Sequence, residues 1–145
     1  MSTSYCFLKV QWHKYAPDIT QIRETVFHDL LFDHPYLTSD QIDPDCDHVV
    51  CYNGEDQIIA SGRLTGAGEI SHIVVDTGWR GKTVGTAILV YLLHIAERRH
   101  YPQAWTMTHR SLQGFYEKKG LVVDPESVPG PLIKMVKTLK QSQLH

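Results

Sequence analysis

The sequence predicts an α/β protein of the α+β kind, in which helices cover both faces of a mixed, largely antiparallel sheet. Three β-branched runs, "HVVCYN", "QIIASGRL" and "EISHIVVD", follow one another with only short turns between them. Strands joined by tight turns pair as antiparallel neighbours. One helical pattern precedes these runs and another follows them. The length of 145 residues fits a single domain, residues 1–145, with one core.

The N-terminal region predicts a strand followed by a helix. The run "YCFLKVQW", residues 5–12, is rich in residues that favour strands. We expect Pro17 to open the helix "PDITQIRETVFHDLLF". Its apolar residues recur at steps of three and four: Ile19, Ile22, Val26, Phe27, Leu30 and Leu31. The polar stretch "DHPYLTSDQIDPDCD" contains two prolines and predicts a loop or a broken helix.

Glycine-containing turns organise the centre of the chain. Gly54-Glu55-Asp56 separates the first two β-branched runs and has the chemistry of a hairpin turn. Gly66-Ala67-Gly68 separates the second run from the third. The letters "IVV" in the third run indicate a strand that is buried on both faces near the middle of the sheet.

The segment from about Thr83 to Arg99 predicts a long helix embedded in the core. Its apolar positions form a broad stripe at helical spacing: Val84, Ala87, Ile88, Leu89, Tyr91, Leu92, Leu93, Ile95 and Ala96. Pro102 prevents the helix from continuing. A strand "QAWTMTH", a short helix "SLQGFYEKKG" ended by Gly120, a short strand "LVV" and a terminal strand "LIKMVKTL" complete the order.

Composition narrows the classes of function. A formal net charge of −2 provides no basic field for nucleic acid. The longest apolar stretch, "AILVYLLHIA", is about half a membrane span, so we expect no membrane partner. The histidines lack the spacing of a metal site, which predicts no metal. Cys6, Cys46 and Cys51 form no CxxC pair, and we expect free thiols in the cytoplasm.

The loop "DTGWRGKTVG" between the third strand and the long helix is a candidate anion site. A nucleotide-binding P-loop needs glycine at position 76, which is Asp76 here, and a P-loop nucleotidase is therefore the weaker alternative. Unpaired amides at a helix start bind anions, and Arg80 and Lys82 add positive charge. Gly81 and Gly85 allow the backbone to approach a ligand. A tight turn with solvated basic residues explains this loop equally well.

Two stretches resemble the GNAT superfamily of N-acetyltransferases. "GEISHIVVDTGWRGKTVGTAIL" resembles the family's acyl-coenzyme A loop, Gln/Arg-x-x-Gly-x-Gly/Ala at a helix start, with Glu69 eleven residues before Arg80. Thr83 stands at a position where the family usually has glycine. A β-branched residue disfavours positive φ, so we expect a less tightly curled loop, or a Thr83 hydroxyl that caps the helix.

The second stretch, "HRSLQGFYEKKGLV", resembles the family's signature Asn-x-x-Ala-x-x-Phe-Tyr-x-Lys-x-Gly-Phe. Phe115, Tyr116, Lys118 and Gly120 agree with it, and His109 stands at the Asn position. Weaker similarity to the small bacterial ElaA-like branch lies in "IRETVF", "HPY" and "VPGPLIKM".

The resemblance implies a GNAT-type central sheet of six to seven strands flanked by about four helices. It also implies acetyl-CoA as co-substrate, with the backbone of Ile73, Val74 and Val75 pairing with the pantetheine arm. The other cofactor contacts that it implies are Arg80, Gly81, Lys82, Thr83, Val84, Gly85, Thr86, His109 and Phe115.

The resemblance assigns the catalytic roles to two residues. Tyr116 resembles the general acid that protonates the departing thiolate, or it packs on Phe115 as an ordinary core residue. Glu69 is the candidate base, acting through water, or else a solvated carboxylate at a strand start. His72 could share the role of base, or it is a packed histidine.

The loop 32–47 would overhang the acceptor in this fold, and Phe32, Tyr36 and His72 are the candidate substrate contacts. Four acids of this loop would favour a cationic amine: Asp33, Asp40, Asp43 and Asp45. The same loop could instead be an ordinary solvated segment. We therefore expect an acetyl-CoA-dependent N-acetyltransferase of a primary amine, as a monomer or homodimer. The alternative is a catalytically silent module that binds coenzyme A.

Overall fold

A computed structural model describes residues 5–29, 40–81 and 83–140. Within these ranges the chain forms seven strands and three α-helices in the predicted order. The elements are β1 (Tyr5–Val10), α1 (Trp12–Asp29), β2 (Asp47–Asn53), β3 (Ile58–Leu64), β4 (Ile70–Val75), α2 (Val84–Arg98), β5 (Gln103–His109), α3 (Gln113–Glu117), β6 (Val122–Val123) and β7 (Leu132–Thr138).

The strands form two antiparallel sheets, ordered β1-β2-β3-β4 and β5-β7-β6. A single parallel bridge, between Glu69 and Trp105, links the two sheets. The prediction of one central sheet is therefore wrong in this respect. The two strands at the junction, β4 and β5, run parallel, and in the described part of the chain they pair only at this bridge. The number of strands agrees with the prediction, whereas about four helices were expected.

The two long helices pack on opposite faces of the first sheet. On β2, Val49 and Cys51 join the core cluster of α2, whereas Val50 joins a cluster that contains Ile19 of α1. On β4, Ile70 faces α2, and Val74 packs with residues of α1. This two-sided packing agrees with the prediction for the third β-branched run, but β4 lies at the edge of its sheet and not near the middle, so that part of the prediction is wrong. The packing also places α2, whose inner residues are buried, in the core as its pattern indicated.

The first helix begins earlier than the sequence predicted. It starts at Trp12, and Pro17 lies inside it, while the strand before it ends at Val10 rather than at residue 12. Trp12 and Tyr15 pack with the cluster formed by Val10, Ile19 and Val50. Proline inside a helix removes one intrahelical hydrogen bond. Packing of the two partly buried aromatic rings offsets that loss. Local sequence preferences do not include this tertiary contribution.

A bulge interrupts β4 opposite Gly62. Ser61 pairs with Val74 and Arg63 pairs with Ser71, so Gly62 faces two residues, His72 and Ile73. His72 adopts the left-handed conformation, with φ of 55°. A bulge re-aims the side chains around it. No helix in the described ranges has the length and apolar character needed to cross a bilayer.

Candidate active site

The loop between β4 and α2 is built by short-range hydrogen bonds. Thr77–Trp79 form a single 3-10 turn, and the Asp76 carboxylate accepts a hydrogen bond from Gly78 N at 3.0 Å. Asp76 thus acts as a turn cap where a P-loop has glycine. Gly81 follows with φ of 78°, and the space beside its Cα is open. The chain then enters α2 at Val84, whose side chain is buried.

Thr83 behaves differently from both expectations. Its φ is 64° and its ψ is 10°, the left-handed conformation that glycine adopts without strain. The loop is therefore as tightly curled here as a glycine would allow. The Thr83 side chain makes no capping hydrogen bond to the helix. Burial of Val84 in the core dictates where the helix must begin, and this tertiary constraint overrides the local preference of a β-branched residue.

A cavity of about 360 Å³ lies at the start of α2 and gathers most of the predicted cofactor residues. Its lining consists of Val75, Trp79, Arg80, Gly81, Thr83, Val84, Gly85, Thr86 and Phe115. Sequence reasoning missed Trp79, although a tryptophan in a polar loop was a signal. Lys82 lies outside the described residues. The exposed Arg80 donates from Nε to Val75 O at 3.3 Å.

His109 does not line this cavity. It precedes the 3-10 turn Arg110–Leu112, and its Nδ1 accepts a hydrogen bond from Ser111 N at 3.1 Å. Its predicted contact with the cofactor stays a prediction.

A second cleft, of about 280 Å³, lies where β4 and β5 separate. Its lining consists of Ile70, Ser71, His72, Ile73, Thr106, Met107 and Tyr116. Ser71, Thr106 and Met107 were not singled out from the sequence. Beyond the Glu69–Trp105 bridge, β4 has no strand partner on this side among the described residues. The backbone of Ile73, Val74 and Val75 therefore forms an open strand edge.

Tyr116 is 9% exposed at this cleft. Burial raises the pKa of its hydroxyl, and hydrogen bonds with the side chains of Thr108 and Thr106 partly oppose the shift. The hydroxyl therefore remains protonated at neutral pH. The ring of Phe115 packs edge-on against that of Tyr116, with centroids 5.0 Å apart. Both interpretations of Tyr116, packing and proton donation, are compatible with this placement.

Glu69 lies one residue before β4 and is not among the residues that line the cleft. Its backbone is fixed by Thr65, whose N–H donates to Glu69 O at 2.9 Å and whose Oγ1 accepts from Glu69 N at 3.1 Å. Burial raises the pKa of the Glu69 carboxyl; the positive charge of Arg63 opposes the shift, and the negative charge of Asp40 supports it. This carboxyl is thus poised to accept a proton closer to neutral pH than an exposed glutamate.

A buried ionic network, which sequence reasoning missed, lies behind β4. Arg23 and Asp43 are both 0% exposed, and Arg23 Nη1 donates to Asp43 Oδ2 at 2.9 Å. Arg63 Nη1 donates to Asp43 Oδ1 at 3.0 Å and to Asp40 Oδ1 at 2.8 Å. The signal for Arg23 was its place on the apolar stripe of α1, one residue after Ile22.

This network corrects the expectation for the acidic loop. Asp43 is paired with two arginines and sealed from solvent, so its charge cannot attract an amine. Asp40 is also bound to Arg63, although its side chain is 26% exposed. Phe32, Asp33 and Tyr36 lie outside the described residues. His72, the remaining predicted substrate contact, does line the cleft. In the described ranges no cluster of His, Cys, Asp or Glu is placed to hold a metal ion.

Solved structures share this fold across nearly the whole chain. An acyl-CoA N-acyltransferase from Pseudomonas aeruginosa is 22% identical, with a TM-score of 0.79 over 93% of this chain and 100% of that chain. Escherichia coli ElaA is 21% identical, with a TM-score of 0.77 over 92% and 99%. The PaiA N-acetyltransferase of Thermoplasma acidophilum, solved in complex with coenzyme A, is 15% identical, with a TM-score of 0.71 over 93% and 99%.

The sequence itself identifies the family. No curated protein sequence matches the chain. The family model for the acetyltransferase (GNAT) domain matches residues 44–122, which is more than half of the chain. The matched residues run from β2 to the first residue of β6. They include the loop between β4 and α2 and the open edge of β4. The chain belongs to the GNAT acetyltransferase family and is an acyltransferase.

Proposed function

We propose that this protein is an acetyl-CoA-dependent N-acetyltransferase that acts on a primary amine of a small molecule or peptide. The observation that carries the proposal is the open edge of β4. This edge runs from Ile73, which lines the cleft of Tyr116, to Val75, which lines the cavity at the start of α2. A donor that is anionic at one end and reactive at the other would span the two.

The donor would bind by two kinds of contact. Its diphosphate would accept hydrogen bonds from the first amides of α2, where Gly81 and Gly85 leave room and Arg80 and Lys82 add charge. Its pantetheine arm would lie along Ile73, Val74 and Val75 as an added strand, since this edge lacks a partner among the described residues. These contacts would bring the thioester to the cleft of Tyr116.

Direct attack on the thioester follows from this placement. The amine nitrogen bonds to the carbonyl carbon, and the carbon–sulfur bond breaks. Tyr116 donates its proton to the departing thiolate, and the Tyr116 phenolate then takes the second proton of the attacking nitrogen as the amide forms. Glu69 receives the proton of the ammonium through water, because it does not line the cleft itself. The raised pKa of Tyr116 suits an acid that stays protonated, and the raised pKa of Glu69 suits a base that binds a proton more tightly than an exposed glutamate does.

Replacement of Tyr116 tests the proposal. Tyr116→Phe keeps the ring and its packing on Phe115 but removes the proton donor. We expect kcat to fall by about 10²- to 10⁴-fold while the Kd for acetyl-CoA stays within about twofold. The measurements are release of the coenzyme A thiol in the presence of an accepted amine, and calorimetric titration with acetyl-CoA. Tyr91→Phe, on α2 outside both cavities, is the matched control. Unchanged turnover in Tyr116→Phe would contradict the assigned role.

A second candidate is a domain that binds coenzyme A without turnover. The observation that favours it is the pairing of Asp43 and Asp40 with arginines, which leaves Asp45 as the exposed predicted acid in the described part of the loop. The two candidates separate in a panel of polyamines, aminoglycosides, amino acids and peptides. Binding of acetyl-CoA without thiol release for any of them would establish the module.

We also propose that residues 1–145 act as one cytoplasmic domain, as a monomer or homodimer. Both cavities are built from a single chain, and α1 and α2 cover opposite faces of the same four strands. Cys6, Cys46 and Cys51 are free thiols, which suits a reducing compartment. Light scattering gives the number of subunits, and a single unfolding transition would support one domain.

A further inference from the structure

His72 occupies an unusual place for a histidine. It lies at the bulge of β4 with φ of 55°, a left-handed conformation that strains a non-glycine residue. It lines the cleft with Tyr116. Its Nε2 is buried and has no hydrogen-bond partner among the described residues. A buried polar atom without a partner is destabilising, and a bound ligand could supply the missing hydrogen bond.

A chain of hydrogen bonds favours one position for the ring proton of His72. Arg63 Nε donates to Ser71 Oγ at 3.0 Å, and a guanidinium can only donate. Ser71 Oγ lies 3.3 Å from His72 Nδ1. Across the described ranges, Nδ1 is the acceptor available to the single hydroxyl proton of Ser71. This pairing favours the tautomer in which Nδ1 accepts and the ring proton is on Nε2.

The surroundings keep this ring neutral. Burial has the largest effect and lowers the pKa of His72 to about 4. The positive charges of Arg63 on β3 and Arg23 on α1 lower the pKa further, and Asp43 and Asp40 partly oppose them. A neutral imidazole with its proton on Nε2 is a hydrogen-bond donor at physiological pH. Its lowered pKa makes it a weaker base than an ordinary histidine.

We propose that His72 is a catalytic residue whose Nε2–H donates a hydrogen bond to the carbonyl oxygen of the acyl thioester. Ser71 and Arg63 are positioning residues that hold His72 in the required tautomer. This inference rests on the proposed acyl transfer. It differs from the expectation that His72 is a base, because His72 gains and loses no proton in the reaction.

The reaction balances without a proton from His72. When the amine nitrogen bonds to the carbonyl carbon, the carbonyl electron pair moves to oxygen, and the oxyanion accepts a stronger hydrogen bond from Nε2–H. When the pair returns, the carbon–sulfur bond breaks, the thiolate takes the proton of Tyr116, and the attacking nitrogen gives its second proton to the Tyr116 phenolate. A hydrogen-bond donor that is already in place stabilises the negative charge that develops on the carbonyl oxygen in the transition state. This stabilisation is strongest where water is excluded.

The tautomer is measured directly in the wild-type protein by long-range ¹H–¹⁵N NMR correlation of ¹⁵N-labelled histidine. We expect a neutral ring with the proton on Nε2 at pH 7. In Ser71→Ala, which lacks the hydroxyl donor, we expect the Nδ1–H tautomer to become populated. A wild-type ring protonated on Nδ1, or charged at pH 7, would overturn the inference without reference to activity.

Two substitutions of His72 test the catalytic role. His72→Gly accepts the left-handed backbone and removes the donor, and we expect kcat to fall about 10²- to 10³-fold. The Kd for acetyl-CoA should stay within about threefold. His72→Gln restores a side-chain N–H that cannot titrate, so it should recover at least about a tenth of wild-type kcat with the wild-type pH profile. Circular dichroism verifies that both variants are folded.

The outcomes separate this inference from the function on which it rests. If His72→Gln is no better than His72→Gly, or if His72→Gly is fully active, His72 is not the donor. A wild-type protein that transfers acyl groups but carries the Nδ1–H tautomer overturns the inference alone. A wild-type protein that transfers no acyl group to any amine overturns the proposed function and this inference together.

Discussion

Thr83 shows how a single residue can oppose its local preference. It begins α2 with φ of 64°, where the family usually has glycine. The strain is of the order of 1–3 kcal/mol for a non-glycine residue. The helix cannot start elsewhere, because Val84 and Ile88 are buried in the core. This backbone strain lies at the start of α2, where the diphosphate of the proposed donor would bind.

Thr83→Gly should therefore stabilise the protein. Glycine relieves the left-handed strain but increases the freedom of the unfolded chain, by about 0.4–1 kcal/mol. We expect a net gain of about 1 kcal/mol in the free energy of unfolding, measured by urea denaturation. Thr83→Val keeps the β-branch and the strain, so it should show no such gain. A less stable Thr83→Gly would mean that the threonine side chain stabilises the loop by more than its backbone strain costs.

Glu69 sets the expected pH dependence of the reaction. Burial raises the pKa of its carboxyl, so the folded protein binds this proton more tightly than the unfolded chain does. The stability that the protonated carboxyl contributes is therefore fully present below the unfolded pKa and is lost as the pH rises through the folded pKa. As a base it must be deprotonated, so kcat/KM should rise with pH through a pKa above the ordinary value of about 4.3.

Glu69→Gln should separate these two effects. We expect turnover to fall by about 10²-fold or more and the acid limb of the pH–rate profile due to Glu69 to vanish. The melting temperature at pH 7 should be unchanged or higher, because a half-buried charge has been removed. A variant that retains the same acid limb would show that another group is the base.

At the scale of the elements, the close approach of α2 to β3 shapes the site. A Cβ at Gly62 would lie 2.6 Å from Ile88 Cγ2, 3.0 Å from Leu92 Cδ1 and 3.2 Å from Ile73 Cγ1. Gly62 also faces the bulge that carries His72. The helix that presents its amides to the proposed diphosphate and the bulge that presents His72 to the cleft therefore meet at one glycine.

Gly62→Ala should destabilise the protein through overpacking. The contacting atoms belong to branched side chains in the core, which cannot move freely, and we expect a loss of about 1–3 kcal/mol in denaturant unfolding. The matched control is Gly66→Ala, because no atom lies within 4 Å of the position of its Cβ. We expect the control to stay within about 0.5 kcal/mol of wild type. Equal stability of the two variants would show that α2 can shift away from β3.

At the scale of the molecule, the Glu69–Trp105 bridge, and not a continuous ladder, joins the two sheets in the described part of the chain. The cavity at α2 and the cleft of Tyr116 both lie along the side of β4 that faces the second sheet. A donor bound along this edge would contact both sheets. Binding should therefore stabilise the whole fold rather than one loop.

Acetyl-CoA should raise the stability of the protein measurably. At 100 times its dissociation constant, a ligand that binds only the folded state contributes about 2.7 kcal/mol. Thermal unfolding with acetyl-CoA measures this shift. ATP with magnesium is the control for the P-loop alternative and should give a smaller one. A larger shift with ATP would contradict the assignment of the loop to coenzyme A.

The sequence by itself determined the order of the elements, the embedded helix and the loop that lines the cavity. These features are local, because each is visible in residues that are close together in the sequence. Apolar residues repeat every 3.6 residues in a helix and every second residue in a strand. Turn glycines and a basic loop at a helix start are likewise recognised from neighbouring residues. Thus Arg80, Gly81 and Gly85 were predicted together and lie together. The family motifs added Tyr116, which lies in the cleft.

Only the tertiary structure decided the split between the sheets, the early start of α1, the burial of Asp43 and the bulge at His72. Each depends on segments that are distant in the sequence. Asp43, for example, stands in a polar stretch that suggests a solvated position, but the fold buries it against Arg23 and Arg63. Likewise, the tautomer favoured at His72 depends on Arg63 on another strand, through Ser71. Periodicity reports which residues prefer burial, whereas the partners of a buried polar group are set by how the chain folds back on itself.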